Sequence, residues 1–75
     1  MTAITQGTIG WAVKQLHDGK RVQRQGWNGK GQYLQLQEGD ATTSPYVWIR
    51  TVEGWRVPWV CSQTDLLAAD WQLYG

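Results

Sequence analysis

The sequence has no phenylalanine, one cysteine, one histidine and no long apolar run. Each shortage removes a class of protein. Cys61 has no second cysteine to pair with, so an intrachain disulfide is excluded. Cys61 and His17 together cannot supply the four nitrogen and sulfur ligands of a structural zinc site. A lone thiol suits a reducing compartment. No segment approaches the roughly 18 consecutive apolar residues of a membrane span. The N-terminal Met1-Thr2-Ala3-Ile4-Thr5 lacks the basic-then-apolar order of a secretion signal. A soluble cytoplasmic protein is expected. The formal net charge of +1 gives no bulk attraction to a nucleic-acid polymer.

Catalytic equipment is equally sparse. Cys61 with His17 could form a nucleophile pair in principle, but Cys61 directly follows an apolar strand, where an inert thiol is the expected reading. The carboxylates Asp18, Glu38, Asp40, Glu53, Asp65 and Asp70 show no metal-type spacing. We expect no enzyme, no metal and no cofactor.

Size sets the next constraint. A single domain over residues 1–75 is expected, and a domain of that length buries only about 60% of the surface its unfolded chain exposes. Small domains usually add disulfides, a metal or subunit contacts. With the first two removed, a homo-oligomer is expected. What the chain has instead of phenylalanine is six tryptophans and three tyrosines. These side chains pair a flat apolar face with a polar handle, which suits interfaces and stacking sites as well as a compact core.

The pattern predicts an α+β fold: a small antiparallel sheet of three to four strands, one main N-terminal helix and a short C-terminal helix. Ile9, Val13 and Leu16 recur at helical spacing, with Ala12 beside them, from Ile9 to Asp18. Thr8 is the expected N-cap, and Gly19 sits where a left-handed cap would stop the helix. His17 falls in the last turn, where positive charge is favoured. Lys20 to Arg24 reads as a short strand with Val22 inward. Gln32 to Gln37 alternates in period two, with Leu34 and Leu36 inward. Tyr46 to Val52 and Trp55 to Val60 read as strands joined at Glu53-Gly54, and Pro58 marks the latter as an edge or a bend. Ser62-Gln63-Thr64-Asp65 has the form of a capping box and predicts a helix over Asp65 to Asp70, with Leu66, Leu67 and Ala69 available for packing. Trp71 to Tyr74 is a last strand or an ordered tail.

One turn stands out chemically. Gly26-Trp27-Asn28-Gly29-Lys30-Gly31 lacks the spacing of a phosphate loop and of the dinucleotide fingerprint. Its closely spaced glycines can still converge backbone N–H groups on an anion, with Lys30 and Arg24 adding charge. The turn reads equally as a hairpin on a solvated basic face. An indole at its tip is poorly placed for the core and well placed to stack on a base, with Asn28 to read the base edge. The helix start at Ser62-Gln63-Thr64-Asp65 offers N–H groups to phosphate, and its hydroxyls and carboxylate can bind ribose hydroxyls; capping explains Ser62 and Asp65 as well.

Two stretches, Gly26-Trp27-Asn28-Gly29-Lys30-Gly31 with Tyr33-Leu34, and Val57 through Trp71 with its Pro58-Trp59 and Ser62-Gln63-Thr64-Asp65-Leu66-Leu67-Ala68 strings, resemble the second family of phage Thoeris anti-defence proteins. The likeness spans nearly the whole chain in the same order, except that Glu38 to Gly54 is shorter than the family's loop-rich insert. The resemblance implies a sponge in the infected bacterial host cell. Such a protein holds the nucleotide messenger of a TIR immune enzyme, of the glycocyclic ADP-ribose type and in some members a cyclic dinucleotide, without cleaving it. It implies a tetramer with pockets between subunits. It carries ligand contact most directly onto Trp27, Asn28 and Asp65, and next onto Lys30, Tyr33, Gln63 and Thr64; Arg24 is an added phosphate candidate. Two other readings stay open on the residues alone: a single-stranded nucleic-acid module, and a protein-interaction domain using exposed tryptophans.

Overall fold

The structure, a computed structural model, describes residues 4–27 and 30–75. Asn28 and Gly29, and with them the expected base-reading role of Asn28, lie outside the described residues. Helix α1 spans Ile9–His17. Thr8 caps it as expected, in extended backbone, its side chain accepting from the Trp11 N–H at 3.4 Å. Gly19 ends it at φ +82°, a conformation that costs a residue with a Cβ.

The buried stripe differs from the expected one. Ala12 and Leu16 are buried, whereas Val13 is 41% exposed. The small Ala12 takes the position of closest approach to the sheet, so the helix rolls toward it and Val13, one residue on, turns outward.

Five strands follow where three or four were expected: β1 Val22–Arg24, β2 Tyr33–Gln37, β3 Tyr46–Arg50, β4 Arg56–Pro58 and β5 Trp71–Leu73. They form one sheet in the order β4-β3-β2-β1-β5, with every pairing antiparallel. The added strand is the C-terminal one. It pairs with β1 through Val22 with Leu73 and Arg24 with Trp71. Pro58 sits on the edge strand β4, where a missing N–H leaves no inner ladder broken.

Helix α2 spans Gln63–Leu67, earlier and shorter than Asp65 to Asp70. Ser62 caps it, its Oγ accepting from the Asp65 N–H at 3.1 Å. The helix stops because Ala68 is already extended, at φ −69° and ψ 153°. Leu66 and Leu67, read from the sequence as packing residues, are 41% and 79% exposed.

Strand alternation gives the sheet two unlike faces. On one, Val22, Leu34 and Trp71 pack with Ala12 and Leu16 of α1 as the core cluster, and Leu36, Val47, Ile49 and Trp59 join its margin. On the other stand Tyr33, Gln35 and Gln37 of β2, opposite Arg50, Trp48 and Tyr46 of β3. Helix α1 lies over β1, β2 and β5, so the far half of the sheet keeps only its own side chains for cover.

Leu34 sits centrally, 1% exposed and paired with Val22 and Ile49. Replacing it with alanine should cost about 2–5 kcal/mol through lost burial and an unfilled cavity. Urea unfolding followed by tryptophan fluorescence measures this directly, as a lower midpoint at unchanged slope.

Candidate functional site

The sequence-predicted residues divide into two groups on opposite sides of the sheet. Arg24 is the last residue of β1 and shares the helix-side face with Val22. It sits beside Trp71 in the β1–β5 ladder, which brings the first turn of α2 and the start of β5 within its reach. Its Nε donates to Asp70 Oδ1 at 2.7 Å and its Nη1 to Asp65 Oδ1 at 2.8 Å. Asp70 Oδ2 also accepts from the Gly26 N–H at 2.8 Å, tying down the first residue of the glycine-rich turn. The Trp27 indole N–H donates to Asp65 Oδ1 at 3.1 Å, and the Trp71 indole N–H to the Asp65 carbonyl at 3.1 Å.

The cluster is largely sequestered: the side chains of Arg24 and Asp65 are each 15% exposed, and that of Asp70 is 31% exposed. Burial, the largest single influence on Asp65, pushes its carboxyl up. The hydrogen bonds from Arg24, Trp27 and Ser62 together outweigh it and hold the group below its ordinary 3.8. Asp70 is held below the same value, mainly by its bond from Arg24. The Arg24 guanidinium is in turn raised, first by Asp70 and then by Asp65. Cys61, half-buried, has its thiol raised by burial and then by the charge of Asp65, which fits an unreactive role.

Trp27 is not an isolated indole at a turn tip. It packs against the core cluster, edge to face with Trp71 at 5.4 Å between ring centroids, and Trp71 meets Trp59 the same way at 5.9 Å. The residue is half-buried, and its ring is fixed in direction by the bond to Asp65. The expectation fails because glycine content and charge give no sign that the chain turns back on itself after Arg24, with the Trp27 N–H donating to the Arg24 carbonyl at 3.2 Å.

Arg24, Trp27 and Asp65 are thus brought together, and Gln63 and Thr64 lie exposed on α2 next to Asp65. Lys30 is exposed at the far end of the turn. Tyr33 belongs to the other face, its ring tilted against those of Tyr74 at 4.7 Å and Trp48 at 5.8 Å between centroids. Sequence reasoning misses Asp70 and Trp71. Asp70 reads from sequence only as a helix-end residue, although an acid followed by an indole just past the helix is a signal that could suggest a partner for Arg24. Among the described residues no group of acids, His and Cys could hold a metal ion. A wide, open polar depression of about 540 Å³, lined by Gly39 to Pro45, lies in the β2–β3 loop and contains none of these side chains.

Residues 7–74 match the family described as the Thoeris anti-defense 2-like domain. The chain is also similar to a protein named Thoeris anti-defense 2 from Bacillus phage SP01. The two are 34% identical over 85 aligned residues, which cover 92% of this chain and 96% of the relative. That alignment is longer than the chain itself, so the relative carries residues that this chain lacks.

The depressed carboxyls of Asp65 and Asp70 make stability depend on acid. Their bonds contribute fully above about pH 5 and are lost as the pH falls through the folded values below 3.8. Urea midpoints should therefore drop steeply below about pH 4. The Arg24→Met variant should lose about 1.5–3 kcal/mol at pH 7, the range for charge-assisted hydrogen bonds. Its acid-side drop should shrink toward that of Asp40, which Thr42 and Thr43 also hold low. Equal acid slopes in the two proteins would remove the cluster from the account.

Proposed function

This chain belongs to the Thoeris anti-defense 2-like family, and on that premise we propose that it sequesters a nucleotide second messenger without cleaving it. The family name carries the anti-Thoeris role in phage infection; the messenger proposed is of the glycocyclic ADP-ribose type, with cyclic dinucleotides as further candidates. The observation that carries the reading is Trp27, half-buried and held in one orientation by Asp65 and Trp71 beside a basic, glycine-rich turn. A ring fixed before the ligand arrives offers a stacking surface without an ordering cost on binding.

The geometry redistributes the other roles. Arg24 is engaged by two carboxylates, so it positions Trp27 through Asp65 instead of holding a phosphate. Phosphate contact falls to Lys30 and the glycine-rich backbone, and ribose contact to Asp65, Gln63 and Thr64. Tyr33, on the opposite face, reaches the same ligand only from another subunit.

A homo-oligomer, with a tetramer favoured, fits the exposed surface. The chain exposes 5395 Å², against about 4,700 Å² for a folded monomer of its mass. The excess is close to the roughly 800 Å² that each partner buries in a standard interface. Val60, shortly before α2, and Leu67, its last residue, are 86% and 79% exposed and place apolar surface near Asp65. A second copy covering them would enclose the Trp27 side.

Isothermal titration with glycocyclic ADP-ribose, a cyclic dinucleotide and ADP-ribose tests the binding. Tight binding of one of the first two is expected, with the ligand recovered intact after denaturation. Stacking is worth about 1–3 kcal/mol per base, so Trp27→Ala should weaken binding by about tenfold to a hundredfold. Heat from none of the three ligands, or unchanged affinity in Trp27→Ala, overturns the reading. By light scattering, Leu67→Glu should shift the oligomer toward smaller species.

A further inference from the structure

The face of the sheet turned away from α1 has a composition unlike the rest of the molecule. Arg50 and Arg56 are register partners across β3 and β4. Arg21 joins them at the start of β1, where its carbonyl accepts from the Tyr74 N–H at 2.9 Å. The guanidinium of Arg21 lies 5.0 Å from the Tyr33 ring centre and 5.2 Å from that of Tyr74. That of Arg56 lies 4.3 Å from the Trp48 ring centre. Cations and rings therefore alternate across the sheet, with Tyr33 and Trp48 5.8 Å apart in the middle. The remaining strand positions on this face are mainly glutamines: Gln23, Gln35, Gln37 and Gln72. No Asp or Glu occupies a strand position here, and among the described residues both ion pairs belong to Arg24 on the other side. The near-zero net charge conceals this segregation, because Asp65 and Asp70 are consumed in the cluster behind the sheet.

We propose that this open face binds a short single-stranded stretch of nucleic acid, stacking bases on Tyr33, Tyr74 and the Arg21 and Arg56 guanidinium planes that cover its rings, and meeting phosphates with the same two arginines. The proposal does not rest on the messenger reading: Trp27 lies across the sheet, and Tyr33 is the residue that the two sites would share. Three physical points favour this occupant. Sheet faces that display aromatic side chains stack two or three bases from a single strand, and this sheet is as wide. Guanidinium planes lying on rings continue the stack and carry charge at the same place. Glutamine amides supply both a donor and an acceptor, as base edges require and a purely acidic peptide does not. A second copy of the same face is disfavoured, since docking would desolvate the arginines of both copies with no carboxylate between them. A duplex keeps its base faces stacked inside and offers a flat sheet little beyond phosphates.

The test is fluorescence anisotropy of a fluorescein-labelled deoxythymidine nonamer with the full chain, at several salt concentrations. Saturable binding is expected, with a log–log salt slope of about −1.4, about 0.7 per phosphate for the two arginine contacts. Arg21→Gln and Arg56→Gln should each weaken binding by about threefold to tenfold and flatten the slope. Both arginines pack on rings, so Gln35→Glu provides a variant that disturbs no stack; it plants an acid in mid-face and should weaken binding about tenfold with an unchanged thermal midpoint. Trp27→Ala should bind the nonamer like the native protein. That separates the two sites: a native protein that binds the nonamer but none of the messengers overturns only the first reading. No anisotropy change, affinity untouched by Gln35→Glu, or equally tight binding of a labelled nonaglutamate overturns the proposal made here.

Discussion

Arg24 lies where β1, β5, α2 and the glycine-rich turn converge, and its two carboxylate partners come from separate segments. Asp65 belongs to the first turn of α2 and Asp70 immediately precedes β5. A single guanidinium at the end of a three-residue strand thus sets the spacing of everything C-terminal to α2. The planar fork of arginine matters, because two carboxylates approach from different directions and a lysine point charge could not satisfy both geometrically. The neighbouring indoles complete the arrangement. Each donates its one N–H to Asp65, Trp27 to the carboxylate and Trp71 to the carbonyl, so one residue orients two rings. In a chain with a thin core, this polar knot takes over part of the fixing that buried leucines provide in larger domains.

The same knot explains why the two faces of the sheet diverge. The helix-side face uses small and branched apolar residues under α1 and reserves its acids for Arg24. The outer face receives arginine, tyrosine, tryptophan and glutamine, whose flat groups cover one another: Trp48 is only 5% exposed although no helix lies over it. Cation–π stacking substitutes there for a covering layer. The result is a sheet finished on both sides with one main helix.

What is legible in the sequence follows from the range of each interaction. Thr8, Gly19 and Ser62 are readable because a cap is satisfied within a few residues. Val22, Leu34 and the edge position of Pro58 are readable because alternation and a missing N–H are local properties of a strand. Val13 misleads because helix rotation depends on which residue meets the sheet, and Ala12 contributes little to a hydropathy stripe while deciding the closest approach. The fifth strand is ambiguous because Trp71 to Leu73 is too short to signal its type without β1 beside it. At the site, Trp27 and Asp65 are singled out separately, but their contact spans 38 residues and the Arg24–Asp70 contact 46, and no local rule reports either. Tyr33 groups with Trp27 through closeness in sequence, whereas strand alternation sends it to the opposite face.

A reversible sponge of the kind proposed has a harder energetic task than an enzyme of the same size, since all of its effect on a messenger comes from ground-state affinity. Buried area alone does not supply this, because ordering side chains at the moment of binding offsets much of the attraction between ligand and site. The Trp27 indole has lost most of that freedom in the unliganded chain through its bond to Asp65 and its packing on Trp71. The bonds that Asp65 accepts from Arg24, Trp27 and Ser62 hold its carboxyl below the ordinary value, so the contacts that fix the ring also keep the proposed ribose acceptor ionised. Stability and affinity then draw on one set of contacts. A change at Arg24 that never touches the ligand loosens the ring and raises the carboxyl together, so the fold and the binding surface weaken in step.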